Sequence, residues 1–142
     1  MVHSASLTRR VTFSATHRYR RPEWDDARNE EVFGPCAGRE YHGHTYSCDV
    51  TVSGPLDMMT GMVVNLGTLD RALRREVVDR LDHRCLNTDV AEFADEGQIP
   101  TGENLARLIA RNVQAALGPR VVVSQVTVAE DATLSATWRP AE

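Results

Sequence analysis

Two histidines separated by one glycine, His42 and His44, are the first residues in the chain whose spacing suggests chemistry. Residues at i and i+2 of a β-strand project from the same face, about 6.5–7 Å apart along the strand. Two imidazoles at that distance can converge on one metal ion at about 2.0–2.1 Å. The alternative is a pair of hydrogen-bonded polar side chains near the start of a strand, so the pair alone does not decide for a metal.

A third histidine, His17, lies on the other side of a long loop from this pair. If the strands that flank the loop pair as a hairpin, the His17 ring can join His42 and His44. Three neutral imidazoles with no obvious fourth protein ligand are typical of a zinc site that keeps an open, catalytic position. The three cysteines of the chain do not form the short-spaced pairs of a structural zinc site.

Four further side chains could act beside such a site. Cys36 lies six residues before His42, where a bound cation would lower the pKa of its thiol, although it could also be an incidental loop cysteine. Asp82 could orient His83 for proton transfer, or His83 could simply stabilise a helix C-terminus. Glu130 follows an apolar strand, where it could accept hydrogen bonds from an amino-pyrimidinone ring or be an ordinary polar strand end.

Six elements are predicted to position these residues. Alternating apolar and polar residues indicate strands, and apolar residues at three- and four-residue spacing indicate helices. The elements follow in the order strand, strand, helix, helix, strand, strand, at about 10–17, 41–53, 69–81, 101–117, 121–130 and 134–139. Thr68 and Thr101 are the predicted helix N-caps, and residues 18–38 and 84–100 are predicted loops. This order predicts an α+β fold in which both helices cover one face of a four-stranded antiparallel sheet.

The composition narrows the class of protein. The chain has 142 residues, 20 acidic and 16 basic side chains, all of the latter arginine, and a net charge of −4. This length suits one domain over residues 1–142, and the acidic balance argues against a nucleic-acid groove. No stretch approaches the roughly 18 apolar residues of a membrane span, and the N-terminus lacks an apolar signal core. Three cysteines cannot all pair, which favours the cytoplasm.

Six segments, one of them in two parts, together resemble the 6-pyruvoyl-tetrahydropterin synthase family, which also includes the 6-carboxy-tetrahydropterin synthases of the queuosine pathway. They follow in family order from about residue 7 to residue 138. They are FSATH at 13–17, FGPC at 33–36 with HGHTY at 42–46, GMVVNL at 61–66, LDH at 81–83, PTGENL at 100–105 and AE at 129–130.

The resemblance implies a subunit of the tunnelling fold (T-fold). Three subunits would join their sheets into a barrel, two trimers would stack into a homohexamer, and the active sites would lie between subunits. It also implies a role for each candidate residue: His17, His42 and His44 as zinc ligands, Cys36 as the catalytic cysteine, Asp82 and His83 as its proton-transfer partners, Glu130 as the pterin anchor, and Thr101 with Glu103 at the helix start that lines the pterin pocket.

The activity implied is that of a carbon–oxygen lyase. It would convert 7,8-dihydroneopterin triphosphate to 6-pyruvoyl-tetrahydropterin and release triphosphate, using zinc but no nucleotide or redox cofactor. The alternative within the family is a 6-carboxy-tetrahydropterin synthase, which also releases acetaldehyde. Five residues separate Cys36 from His42, and Asn65 stands where many carboxy-forming members carry aspartate. Both features resemble the pyruvoyl-forming members.

Two other functions fit the same residues. One is a three-histidine zinc hydrolase in which Cys36 is a bystander, and the other is a non-catalytic pterin- or metal-binding module. In the predicted loop, Arg18, Arg20 and Arg21 could bind the triphosphate, since guanidinium groups match phosphate oxygens. They could equally form part of a solvated loop whose charge is balanced by nearby acids.

Overall fold

Two long antiparallel strands, β1 (Ser4–His17) and β2 (His42–Pro55), form the centre of the fold. The computed structural model describes residues 2–38, 40–95 and 97–142. In β1 and β2 apolar and polar residues alternate, and one face of the pair is buried while the other is partly exposed. The register runs without a shift from Ser4 opposite Pro55 to His17 opposite His42. The hairpin assumed in predicting the histidine cluster is therefore present.

The remaining elements follow the hairpin or lie in its connecting segment. Their bounds are α1 (Asp26–Phe33), α2 (Leu66–Leu73), α3 (Asp79–Leu81), β3 (Arg84–Cys85), α4 (Leu86–Asp89), α5 (Gly102–Leu117), β4 (Val122–Ala129) and β5 (Ser135–Trp138). A π-helical segment at Arg74–Val78 joins α2 to α3, so the three together occupy the first predicted helix. None of the described helices is long and apolar enough to cross a membrane.

The sheet has the strand order β3-β1-β2-β4-β5. The four predicted strands pair antiparallel, as expected. The prediction of a purely antiparallel, four-stranded sheet was nevertheless wrong, because β3 adds a fifth strand parallel to β1. This strand has only two residues, too few to produce an alternating pattern, and it forms because the chain leaving α3 passes along the open edge of β1.

The long helices pack on one face of the sheet. Buried β-branched and aromatic residues of β1, β2 and β4 meet the apolar stripes of α2 and α5, and the core formed there includes Phe13, Tyr46, Val50, Val126, Leu69, Leu73, Leu105 and Ile109. The opposite face is polar, with cross-strand hydroxyl pairs such as Thr8 with Thr51 at 2.7 Å. A bidentate ion pair joins Arg10 to Asp49 on the same face. The predicted α+β arrangement is thus confirmed.

The segment predicted as a loop from residue 18 to residue 38 contains α1 and a 3-10 turn at Gly34–Ala37. Its charged sequence has no apolar stripe, so periodicity could not find the helix. Asp25 caps the helix, and the buried Asn29 side chain holds the segment that precedes it. The Asn29 amide accepts a hydrogen bond from the Arg21 N–H and donates to the carbonyls of Arg21, Trp24 and Asp25.

The helix caps were predicted with mixed success. Thr101 caps α5 through a hydrogen bond accepted from the Asn104 N–H, as expected. Thr68 is not the cap of α2, because the Asn65 side chain accepts from the Thr68 N–H and the helix begins three residues earlier. Asn65 is therefore the N-cap of α2, a structural role that an aspartate could also fill.

Candidate functional site

The ends of β1 and β2 bring three histidines together on the buried face of the sheet. The ring centroid of His17 lies 4.6 Å from that of His42 and 5.0 Å from that of His44. The distance between the His42 and His44 rings is 5.1 Å. One ring nitrogen from each residue lies within 4.8 Å of the other two, so the cluster could hold a metal ion. Strand pairing is the cause, because His17 and His42 are direct cross-strand partners.

The protonation of His17 suits metal binding. Its Nδ1 lies 3.1 Å from the Pro100 carbonyl oxygen and 3.0 Å from the Tyr46 hydroxyl. Because a carbonyl can only accept a hydrogen bond, Nδ1 carries the proton and Nε2 presents its lone pair. The Nε2 atoms of His17 and His44 are buried and have no hydrogen-bond partner among the described residues. A divalent metal ion would bind the lone pairs of these nitrogen atoms.

The surroundings favour the neutral form of His17 and His42. Burial, with smaller contributions from His42 and His44, lowers the pKa of His17 to about 4. Burial and His44 also lower the pKa of His42, against an opposing effect of Glu130. Metal ligation requires the unprotonated ring, so at neutral pH His17 and His42 are ready to bind an ion without first losing a proton.

We expect the metal-free protein to lose stability as the pH falls from about 6.5 to about 4. The unfolded chain binds a proton on His17 near its ordinary pKa of 6.5, whereas the folded chain does so only near 4. The unfolded state therefore binds more protons across this window, and the free energy of unfolding decreases by about 3 kcal/mol at most. Urea unfolding at several pH values measures the slope. Most of it should vanish in His17→Gln, and an unchanged slope there would contradict this assignment.

Glu130 follows the end of β4 and faces the cluster. Its Oε1 lies 3.8 Å from the His17 Nε2, and its Oε2 lies 3.7 Å from the His44 Nε2. Its side chain is 12% exposed. The predicted pterin anchor and the three histidines thus line one space, with the carboxylate opposite the free ring nitrogens.

Tyr19 also contacts this site and was not singled out from the sequence. Its hydroxyl donates to Glu130 Oε1 at 3.2 Å, and its ring meets the His17 ring edge-on at 4.9 Å. Burial and Glu130 raise the pKa of Tyr19, so the phenol stays protonated and donates. The available signal was its position two residues after His17, on the same side if the alternation of β1 continues.

Cys36 belongs to the 3-10 turn, where its carbonyl accepts a hydrogen bond from the Tyr19 N–H at 2.8 Å. This bond ties the turn to the chain that leaves β1. Burial and Glu130 raise the pKa of the Cys36 thiol, whereas a cation bound nearby is expected to lower it. The expected direction depends on a nearby cation, and the protein groups alone act in the opposite direction.

Asp82 and His83 form the predicted pair at the open edge of β1. The Asp82 carboxylate accepts from the Ser14 N–H and lies 3.5 Å from the His83 Nε2. The His83 N–H donates to the Ser14 carbonyl, and its φ of 60° marks the sharp exit from α3. The His83 side chain is 84% exposed, and the three-histidine cluster does not include it. Within one chain, His83 lines a surface groove together with Gly43 and His44, but it is not part of the three-histidine cluster.

The start of α5 adjoins the histidine cluster. Thr101 follows Pro100, whose carbonyl orients His17. Glu103 lies exposed in the first turn of this helix and acts electrostatically on Tyr19. The structure therefore places the predicted pterin-lining helix start on the same side as Glu130 and Tyr19.

The arginines of the connecting segment have protein partners. Arg20 pairs with Asp26 at 2.7 Å, which favours the charge-balanced interpretation for this residue. The Arg18 guanidinium reaches the Ala37 carbonyl at 3.5 Å and lies 5.9 Å from the Tyr41 ring centroid. The Arg21 backbone is held by Asn29. These contacts order the segment. A triphosphate contact by Arg18 or Arg21 stays a prediction.

Comparison with known proteins places this arrangement among pterin enzymes. A sequence model described as 6-pyruvoyl tetrahydropterin synthase matches residues 6–141. A 6-pyruvoyl tetrahydrobiopterin synthase from Drosophila melanogaster is 44% identical over 126 residues, which cover 89% of this chain and 74% of that protein. A 6-carboxy-5,6,7,8-tetrahydropterin synthase from Bacillus subtilis is 35% identical over 115 residues, which cover 78% and 74% of the two chains.

The fold also matches that of a solved structure. The 6-pyruvoyl tetrahydropterin synthase of Caenorhabditis elegans superimposes with a TM-score of 0.91 at 30% identity. The match covers 98% of this chain and 97% of that structure. It confirms the predicted tunnelling-fold subunit.

Proposed function

Because the chain belongs to the 6-pyruvoyl tetrahydropterin synthase family, we propose that it converts 7,8-dihydroneopterin triphosphate to 6-pyruvoyl-tetrahydropterin and releases triphosphate. The observation that carries this proposal is the arrangement of three imidazoles around a space that Glu130 also faces. An open metal position beside a fixed carboxylate suits a substrate with a hydroxylated side chain and an amino-pyrimidinone ring.

The metal would be zinc, held by His17, His42 and His44. A zinc ion bound there supplies a Lewis acid that lowers the pKa of the substrate's side-chain hydroxyls and stabilises developing negative charge. The protein contributes the geometry. Pro100 and Tyr46 hold His17 in the tautomer that presents Nε2, and burial keeps the rings unprotonated.

Glu130 would anchor the pterin ring. Its carboxylate can accept two hydrogen bonds from the adjacent ring N–H and amino group of the substrate, a charge-assisted pairing that fixes orientation. Thr101 and Glu103 would line the neighbouring part of the pocket at the start of α5.

Cys36 would remove a carbon-bound proton, and His83 backed by Asp82 would carry protons to and from the substrate. Because burial and Glu130 raise the pKa of the Cys36 thiol, its ionisation requires a compensating cation or a nearby base. In the single chain the His83 side chain is largely exposed, which leaves it accessible to a neighbouring subunit. We therefore infer that His83 and Asp82 of one subunit complete the site of a neighbour.

This inference requires an oligomer, for which we propose a hexamer built as a dimer of trimers. The part of β1 that β3 does not cover and the outer edge of β5 lie at the two sides of the sheet and would allow sheets to join. We also infer a cytoplasmic location, since Cys36, Cys48 and Cys85 are all free thiols.

Anaerobic incubation with 7,8-dihydroneopterin triphosphate, followed by mass analysis, tests the function. Triphosphate with a pyruvoyl product is the expected result. A carboxy product with acetaldehyde would instead establish a 6-carboxy-tetrahydropterin synthase. The similarity to the Bacillus subtilis enzyme supports this alternative. Unchanged substrate in the presence of metal-loaded protein would overturn both and favour a non-catalytic pterin- or metal-binding module.

Metal content provides a separate prediction. We expect about one zinc per chain, lost in His42→Ala because two imidazoles hold zinc far more weakly than three. His3→Ala is the matched control, since His3 lies at the other end of the sheet and should leave the metal in place. Elemental analysis of the dialysed proteins measures the ratio. Full metal content in His42→Ala would exclude the three-histidine site.

A further inference from the structure

Tyr19 is held on several sides between the predicted catalytic groups. Its backbone N–H donates to the Cys36 carbonyl at 2.8 Å. Its ring packs edge-on against His17, with centroids 4.9 Å apart, and against Phe33 at 5.9 Å. These contacts set the position of the ring, so its hydroxyl reaches Glu130 Oε1 at 3.2 Å from a defined direction.

The Glu130 carboxylate lies beside two of the three predicted ligand nitrogens. Its Oε1 lies 3.8 Å from the His17 Nε2, and its Oε2 lies 3.7 Å from the His44 Nε2. Carboxylate oxygens are common zinc ligands. A shift of this carboxylate toward an ion held by the histidines would therefore close the open position.

The Tyr19 hydroxyl opposes this shift. It donates to Oε1, the oxygen nearest His17, and a hydrogen bond to an ionised acceptor is among the stronger ones in proteins. The phenol and a bound ion would thus compete for the same carboxylate.

We propose that Tyr19 is a positioning residue that holds Glu130 off the metal, keeping the fourth metal position open and the carboxylate free for the substrate ring. This inference rests on the proposed function for the roles of the histidines and of Glu130. It adds a residue that touches neither the reacting atoms nor the ion, and that acts through Glu130.

Cobalt(II) in place of zinc tests the proposal, because its visible absorption spectrum changes with the number and type of ligands. The proteins compared are wild type, Tyr19→Phe, Glu130→Gln, the double variant, and Tyr41→Phe as a control. Tyr41 is 45% exposed and contacts Arg18 rather than Glu130. Three quantities are measured: the spectrum without pterin, the rate of cobalt loss to a chelator, and the affinity for 7,8-dihydroneopterin.

In Tyr19→Phe we expect an altered cobalt spectrum, about tenfold slower cobalt loss and about tenfold weaker pterin binding, the size of effect that a hydrogen bond to a charged group commonly has. Tyr41→Phe should match wild type. In the Glu130→Gln background the Tyr19 change should have no further effect on the spectrum or on cobalt loss. Phenylalanine keeps the ring contacts, so these differences report on the hydroxyl.

A wild-type spectrum and pterin affinity in Tyr19→Phe would overturn the inference. So would the same change with and without Glu130, because the hydroxyl would then act by another route. The proposed function is judged on the wild-type protein alone, since wild type that binds neither cobalt nor pterin contradicts that function whatever the variants do.

Discussion

Turnover in a Cys36→Ala variant is expected to fall by roughly 10³-fold while the protein keeps its metal and its affinity for the pterin. Removing a group that transfers a proton in the rate-determining step commonly costs 10²–10⁴-fold, and alanine leaves no group to take its place. Cys36 lies in the turn held by Tyr19, outside the three-histidine cluster. Loss of its thiol should therefore spare metal binding. Single-turnover kinetics with metal analysis of the same samples measures both.

Cys48→Ala is the matched control for this experiment. Cys48 is buried in the core of the sheet, so its replacement should lower stability but leave turnover per folded molecule close to wild type. A three-histidine zinc hydrolase would barely respond to Cys36→Ala, because Cys36 would play no part in its reaction. Near-normal turnover in that variant would therefore favour the hydrolase over the synthase.

Mixing two inactive variants, Cys36→Ala and His83→Ala, should restore activity to about a quarter of wild type. If a site takes its cysteine from one chain and its histidine from a neighbour, random assembly at equal amounts leaves both intact in roughly one site in four. The structural reason is the exposure of His83 in one chain, where its side chain is 84% exposed at the edge of β1. Co-expression of two differently tagged variants, with purification on both tags, provides the mixed oligomer.

The control is a mixture of Cys36→Ala with His42→Ala. Both residues belong to the same face of one chain, where Tyr19 links the Cys36 turn to the histidine cluster. Mixing these variants should restore no activity. Each chain lacks either Cys36 or His42, so no site regains both groups. Equal recovery in the two mixtures would contradict a site shared between subunits, and a stable monomer in sedimentation would exclude it.

The histidine cluster could be predicted from the sequence because strand geometry is periodic. Alternation assigns His42 and His44 to one face, and it assigns His17 to the buried face of β1. Pairing of the two strands then leaves little choice about where the third ring lies. The caps and stripe of α5 were predictable for a similar reason, since its signals are local and repeated.

Elements without a repeating pattern could not be predicted in the same way. The helix α1 is rich in charged residues and has no apolar stripe, and its segment is organised by one buried amide, that of Asn29. The strand β3 has only two residues and forms where the chain passes along the open edge of β1. Such elements depend on contacts with distant parts of the chain, which leave no period in their own residues.

The sequence by itself determined the fold class, the faces of the strands and which residue types could bind a metal, because each depends on local spacing and side-chain chemistry. Only the tertiary structure decided that Glu130 faces the free nitrogens of His17 and His44, that Tyr19 holds this carboxylate, and that His83 is exposed and lies outside the three-histidine cluster. The Glu130 contacts are relations of a few ångströms between residues as far apart in the sequence as His17 and Glu130. They are set by how β4 and the segment after β1 meet, and no local pattern encodes them.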